Sequence, residues 1–370
     1  MTSENFFERI HQQFNNNLPF VVYRRPNENV VNTLLQNDDD IHTVIDFSES
    51  GFVFAPFDNR EDAVLIPFSE SDFISRNVVI PANAEPQSIF DNDSSNAKRH
   101  HLKLIKKAIS TINSKELLKV VLSHKEAVDI SESNPIEIFK RLLGVYKTAF
   151  VYCWYHPKIG LWLGATPETL LKTEGKRFST MALAGTQLYN NTLDVKWGSK
   201  EVEEQQLVTD FVANNLKKIT DDLTVSKTET IKAGNLLHLK TKITGVFNNG
   251  IEEVLNVLHP TPAVCGLPKA TAKLFILENE NYNREFYTGF LGELNFTIKT
   301  SRNSNKRNVE NNAYTSIKKI SNLFVNLRCM QIKENNVLIY VGGGITKDSI
   351  PENEWQETVI KTHVVKKVLQ

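Results

Sequence analysis

The sequence predicts an α+β layered fold in which strands and helices alternate irregularly, without a repeating βαβ wind. Three observations carry that reading. The chain has 370 residues, of which 41% are hydrophobic and 23% charged, enough to build a sizeable core and unlike a disordered chain. Short apolar runs with strand character recur along it, separated by Asn- and Ser-rich connections. Between them lie longer stretches whose apolar residues repeat at helical spacing. At about 150 residues per domain the length corresponds to one large or two intimate domains. No internal repeat, heptad run or Gly/Ser linker divides it.

The elements follow in order. A polar-start helix spans Ser3 to Phe14, and short strands follow at Pro19–Tyr23, Thr43–Asp46, Gly51–Pro56 and Ala63–Ile66. From Asp91 to Asn113, Leu102, Leu104, Ile105, Ala108, Ile109 and Ile112 form one apolar stripe with basic residues opposite, which predicts an amphipathic helix. Leu117–Leu122 reads as a buried strand, Pro135–Lys147 as a helix and Ala149–Trp154 as another strand. Val202–Leu216 is helical, Leu236–Val246 alternates like a strand, and Ile251–Leu258 and Thr271–Glu278 are short helices. Phe290–Ile298, Leu323–Met330 and Val337–Val341 are strands, and Glu352–Val368 is the closing helix. The polar, basic segment 301–322 reads as a surface excursion whose charges face solvent.

Composition also excludes classes. Lys+Arg and Asp+Glu are both 43, which argues against an electrostatic nucleic-acid binder. No apolar run approaches the roughly 18 to 20 residues needed to span a bilayer. The opening MTSENFFERIHQQF carries acids and polar residues where a signal peptide carries a basic end and an apolar stretch. Cys153, Cys265 and Cys329 are scattered, without a Cys-x-x-Cys pair, which fits a reduced compartment and excludes a cysteine zinc site. A soluble cytoplasmic protein, bound neither to nucleic acid nor to membrane, is the expectation.

Two glutamate pairs are the most informative feature. Glu201 and Glu204 lie three apart in GSKEVEEQQLVTD, as do Glu354 and Glu357 in IPENEWQETVIK. On a helix each pair sets two carboxylates on one face, where they need open water or a cation. Oxygen-only ligands select a hard ion such as Mg²⁺, although Glu-x-x-Glu is also common on solvated helices. Gly342–Gly344 follows the apolar strand VLIYV; glycines there admit close approach of an anion to backbone N–H, but a simple turn explains them as well. In LHPTPAVCG, two prolines flank Thr261 and fix His259, a rigid loop of the kind that presents groups to a ligand. Lys119 lies inside the apolar strand LLKVVLS; an inward lysine is expensive unless neutral or paired, and burial lowers its pKa toward that of a general base. Glu168, in LGATPETLL, is the carboxylate counterpart, since an apolar setting raises its pKa and makes it a proton donor. Snorkelling of Lys119 and helix capping by Glu168 are the simpler alternatives.

Taken together, LLKVVLSHKE, LGATPETLLKT, MALAGT, GSKEVEEQQLVTD, LHPTPAVCGLPKATA, REFYTGFLG, NLRCMQI and VGGGITKDSIPENEWQETVIK resemble, in this order, the chorismate-utilising enzymes, and within them the isochorismate synthases. The match runs from about Lys115 to Lys361 and leaves the first hundred residues as the family's variable amino-terminal part, with residues 101–370 as the chorismate-binding catalytic region. The resemblance implies an α+β fold like that of the anthranilate synthase large subunit, two sheets with helices outside and the site between them. It implies an isomerase that converts chorismate to isochorismate with Mg²⁺, water adding at C2 as the C4 hydroxyl leaves. Carried over residue by residue, Lys119 matches the base that activates water and Glu168 the acid that protonates the leaving hydroxyl. Glu204 and Glu357 match the principal metal ligands, with Glu201 and Glu354 as second members. Arg328 matches the arginine that grips a substrate carboxylate, and Lys361 a lysine beside the metal-side carboxylate. Gly185, Tyr340, Gly342 and Gly343 fall where the family lines its pocket, and His259 and Ala263 on the loop over the ring.

Lys119 also separates this chain from the amine-using members, which place no lysine there, so no obligatory glutaminase subunit is expected. Salicylate synthases keep the lysine and are the nearest alternative; a non-catalytic and an ammonia-using chorismate-binding subunit are the others. Two departures stand out. Gln205 replaces the family's usual His, and segment 301–322 lengthens a hairpin that is normally short. Menaquinone and siderophore synthesis are the two pathways the resemblance offers.

Overall fold

Alternation decides the architecture. In the strand Phe150–His156, Tyr152 and Trp154 turn to one face while Val151 and Cys153 turn to the other, and all four are buried. A strand buried on both faces needs a layer on each side. The computed structural model, which describes residues 3–78, 95–130, 134–233, 236–301, 315–334 and 336–369, supplies both.

Among the described residues the strands form two antiparallel sheets. The first has nine strands, in the order Gly266–Leu267, Lys119–Asp129, Asn336–Ile345, Cys329–Lys333, Gly160–Thr166, Phe150–His156, Phe20–Arg24, Val30–Gln36 and Ser71–Asn77. The second has ten: Thr220–Val225, Leu236–Phe247, Arg177–Leu188, Thr169–Glu174, Thr315–Val325, Phe290–Ser301, Gly51–Ala55, Val64–Pro67 and His42–Thr43 in line, with Glu229–Ala233 added beside Leu236–Phe247. Between the sheets lies an aromatic layer that includes Phe54, Tyr152, Trp154, Trp162, Phe286 and Tyr340. Burying each such side chain stabilises the fold by roughly 1.5–3 kcal/mol, an upper figure for an extended unfolded reference.

Helices cover the outer faces. Ser3–Asn15, Pro135–Val145 and the end of Pro351–Lys366 pack Phe6, Ile10, Phe139, Leu142 and Val365 on the first sheet. Ser199–Leu216 and Ile251–Leu258 pack Val208, Val212, Val254 and Leu255 on the second. Ser95–Asn113 and Lys269–Asn279 close over Val120 and Leu122 with Leu104, Ile105, Ala108, Phe275 and Ile276. The fold is therefore α+β, two sheets with helices outside, and the first hundred residues contribute strands to both sheets. Among the described residues no helix is long and apolar enough to cross a membrane.

Several expectations need correction. Gly342–Gly344 is not a turn, since it continues the strand Asn336–Ile345, paired to Lys119–Asp129. Leu323–Met330 is two strands in different sheets, broken at Asn326–Arg328. Residues 315–322 of the supposed surface excursion are strand; 302–314 lie outside the described residues, as do residues 91–94 at the start of the long amphipathic helix. Thr43–Asp46 shrinks to the pair His42–Thr43. Ser71–Asn77, an edge strand with polar exposed faces, and Arg177–Leu188, interrupted by Gly185, carried too little apolar alternation to be seen.

Candidate active site

Two points where the chain passes from one sheet to the other create the site. The first lies between Gly160–Thr166 and Thr169–Glu174, and holds Pro167 and Glu168. The second lies between Thr315–Val325 and Cys329–Lys333, and holds Arg328 in the left-handed region at φ 49°. The crossings are tied together, because Val325 N donates to Glu168 O at 3.0 Å. An acid and an arginine far apart in sequence therefore share one end of the intersheet space. The cleft there spans about 780 Å³ of empty space, part of it open solvent.

The second sheet supplies one wall. Gly185, in the strand Arg177–Leu188, lies against the first turn of the helix Ser199–Leu216, whose Lys200, Glu201 and Glu204 face the cleft. The other wall is the glycine run of the first sheet together with the helix Pro351–Lys366, from which Glu357 and Lys361 point inward. Lys361 Nζ donates to Glu357 Oε1 at 2.6 Å and to Gly342 O at 2.9 Å, joining helix to strand. Gly344 lies close against two functional side chains: a Cβ there would stand 2.5 Å from Glu204 Oε1 and 3.1 Å from Lys119 Cε, so a larger residue would displace them. A Cβ on Gly343 would lie 3.7 Å from Glu357 Oε1 and 3.9 Å from Glu354 Oε2, so these two carboxylates converge on one point of the strand.

Lys119 opens its strand and is wholly buried. Its Nζ lies 2.8 Å from Glu204 Oε1, an ion-pair distance. The approach is too oblique for a hydrogen bond, and Nζ has no hydrogen-bond partner among the described residues. Such an atom is rare in a folded protein. Lys119 sits just behind the cleft surface, between Gly344 and Glu204. Glu168 is also buried; burial pushes its carboxyl up to about 8, against the opposing pull of Arg328 and Lys119. It therefore holds its proton at neutral pH. Arg328 has neither an ion pair nor a side-chain hydrogen bond among the described residues, and burial lowers its pKa.

The four glutamates fit a hard cation in kind, because they offer only oxygen to the cleft, with Glu354 reaching it from behind Gly343. Three of them already lie beside a lysine, Glu204 with Lys119, Glu357 with Lys361 and Glu354 with Lys200. Burial raises the Glu354 carboxyl; burial is also the largest single influence on Glu357, but Lys361, Lys200 and His238 together bring that carboxyl below its ordinary value. No three His, Cys, Asp or Glu side chains among the described residues form a closed metal cage. An ion held here would complete its shell with water and substrate oxygens, which is the habit of Mg²⁺.

Of the residues singled out from sequence, Glu168, Gly185, Glu201, Glu204, Ala263, Arg328, Gly342, Gly343, Glu357 and Lys361 line the cleft. Lys119 and Glu354 stand directly behind it. Two are not brought there. His259 turns away to Pro56 O, 2.9 Å from its Nε2, and packs on Phe290; burial lowers its pKa to about 3, so it is a neutral structural residue. Tyr340 is buried between Trp162 and Tyr287 and donates to Gln331 Oε1 at 3.0 Å. It lies two residues before Gly342 on the same strand, within the aromatic layer, and its stacking partner Tyr287 is the ring that lines the cleft. Gln205, the departure from the family pattern, binds Ala182 O and Thr241 Oγ1 through its Nε2, and so fastens the glutamate helix to the sheet.

Among the cleft residues that sequence reasoning did not single out are His238 and Lys200. His238 lies in Leu236–Phe247, buried, with Nδ1 2.9 Å from Gly185 O and Nε2 without a hydrogen-bond partner among the described residues. Burial lowers its pKa to about 4, so the ring is neutral; Nδ1 carries the proton toward Gly185 O and Nε2 offers a lone pair to the cleft. Its only sequence signal was a polar residue inside an apolar alternation. Lys200 was hidden in an ordinary charged helix start.

The family described as chorismate binding enzyme matches residues 63–300, and a second description of the same kind matches residues 314–367. Isochorismate synthase EntC of Escherichia coli strain K12 is 28% identical over 326 residues, covering 83% of this chain and 77% of that protein. Isochorismate synthase MenF of the same strain is 30% identical over 282 residues, covering 72% of this chain and 59% of that one. Among solved structures, a 2,3-dihydroxybenzoate-specific isochorismate synthase, DhbC, from Bacillus anthracis aligns with a TM-score of 0.75 at 22% identity, covering 97% of this chain and 99% of that one.

Proposed function

The chain belongs to the chorismate binding enzymes, and from that membership we propose that it is an isochorismate synthase: water adds at C2 of chorismate as the C4 hydroxyl leaves. The observation that carries this reading is the pairing, at one cleft, of a buried Lys119 whose Nζ has no hydrogen-bond partner among the described residues with a buried Glu168 that keeps its proton. A displacement of hydroxyl by water needs a base for the entering oxygen and an acid for the departing one. The amine of Lys119 takes the proton of the attacking water. Glu168, protonated up to about pH 8, gives its proton to the C4 oxygen as that bond breaks.

The charges around them suit a dianion. Arg328, with no anion of its own among the described residues, takes one substrate carboxylate, and its fork favours a two-point grip. Lys361 holds Glu357 and the Gly342 carbonyl and so sets the helix that brings the second pair of carboxylates to the strand. Glu204 and Glu357 would hold Mg²⁺, with Glu201 and Glu354 assisting directly or through water. When bound, the ion draws electron density from the ring carboxylate and so eases attack at C2. Neutral His238 presents Nε2 as an acceptor for a substrate hydroxyl.

Incubation with chorismate and Mg²⁺, followed by chromatography and NMR of the products, tests the reading. Isochorismate is expected, without pyruvate or salicylate, and EDTA is expected to stop its formation. Pyruvate and salicylate in place of isochorismate would assign the salicylate synthase reaction; chorismate bound but never turned over would assign a binding subunit.

A further inference from the structure

The motif REFYTG contributes an arginine that the reaction does not use. Arg284 is buried and pairs with buried Glu280, at the end of the helix Lys269–Asn279. A guanidinium has five N–H donors, and here each one is spent. Nε and Nη2 donate to the two oxygens of Glu280 at 2.8 and 2.6 Å. Nη2 also donates to Val121 O at 2.7 Å, and Nη1 to Val264 O at 3.1 Å and Thr288 Oγ1 at 3.2 Å. Glu280 in turn accepts from Ser123 N at 2.8 Å and Ser123 Oγ at 2.9 Å.

The three targets beyond Glu280 have one property in common. Val121, Val264 and Thr288 all line the cleft, and each comes from a different part of the chain. Val121 lies two residues after Lys119 on the same strand, Val264 is on the loop that carries Ala263, and Thr288 precedes the strand Phe290–Ser301. A brace meant only for stability needs no such selection. We propose that Arg284 is a positioning residue for the reaction: through Val121, Val264 and Thr288 it sets the distance between the strand that bears Lys119 and the loop over the substrate ring. It touches no reacting atom. A lysine could keep the charge, but with three donors it cannot reach all five acceptors.

The proposal rests on the isochorismate synthase reading, and the experiment separates the two. Wild type, Arg284→Gln and Arg284→Lys are compared for kcat and KM with chorismate, for chorismate affinity by calorimetry, and for thermal unfolding. Displacing catalytic groups by about an ångström costs on the order of 10²-fold in rate, so Arg284→Gln is expected to lose roughly that in kcat. Its chorismate affinity should stay within about 3-fold, and Arg284→Lys should recover part of kcat. Folded variants with wild-type kcat, or with a loss confined to affinity, would overturn the positioning role. A wild type that does not convert chorismate would overturn the underlying reading instead. Should Arg284→Gln fail to fold, Ser123→Ala carries the test, since it removes one bond to Glu280 and one to the Tyr282 hydroxyl and leaves the cleft lining intact; Tyr282→Phe is its control. A several-fold fall in kcat without a matching change in affinity is expected there, and an unchanged kcat would overturn the proposal.

Discussion

Lys119→Ala is expected to lower chorismate turnover by about 10²–10⁴-fold, the usual contribution of a positioned base, with chorismate affinity nearly unchanged. The side chain is wholly buried behind Gly344 and makes no hydrogen bond among the described residues that substrate binding would depend on. The substitution also removes a fully buried side chain from beside Glu204 and leaves a void in the wall, so the variant should melt at a lower temperature than wild type. Steady-state kinetics and calorimetry on the same preparation separate these effects. Full activity in Lys119→Ala would remove the base from the account, and lost affinity with retained kcat would recast the lysine as a binding group.

Glu168→Gln should have an equally large effect on rate and the opposite effect on stability. An amide cannot deliver a proton to the leaving hydroxyl, so a loss of about 10²–10⁴-fold in kcat is expected. The pH dependence has a definite sign. In the folded chain the carboxyl stays protonated until about pH 8, whereas its ordinary value is 4.5. Between these values the folded state holds a proton that the unfolded state has released, so stability from this group falls as pH rises through the window. Above about pH 8 the folded chain carries a buried carboxylate, and the penalty is complete. Glutamine does not titrate. The variant should therefore gain stability over wild type progressively from about pH 5 to pH 8, and hold that gain above it. Wild-type kcat should fall on the alkaline side around and above pH 8, as the folded enzyme loses this acid. Thermal unfolding across pH and a pH–rate profile test both limbs; a variant less stable than wild type at pH 8, or an alkaline limb unmoved by the substitution, would contradict the assignment.

Much of this site was legible in the sequence, for reasons that differ by residue. Glu354, Glu357 and Lys361 were readable because a helix converts spacing directly into a face, and the helix Pro351–Lys366 is where the pattern put it. Lys119 stood out because a charge inside an apolar strand is costly, and the structure buries it completely. The link between Glu168 and Arg328 was not readable at all. It depends on two crossings between sheets, and no local pattern announces that Leu323–Met330 divides at Asn326–Arg328 and changes sheet. His259 misled for the converse reason: two prolines make its loop rigid, but the local pattern does not say which way the ring turns, and it turns to Pro56. His238 and Arg284 escaped because their importance lies in partners contributed by distant segments. The glycine run was seen, and Gly342 and Gly343 do line the cleft, but its continuation of a strand and the closeness of Glu204 and Lys119 to Gly344 are tertiary facts that the run itself does not announce.

The central claim is that solvent supplies the new hydroxyl at C2, and early turnover in ¹⁸O-labelled water tests it most directly. The account predicts isochorismate that carries one heavy oxygen, located at C2 by NMR, before the reverse reaction spreads the label. Unlabelled isochorismate formed under the same conditions would mean that the hydroxyl migrates within the substrate, and would contradict it.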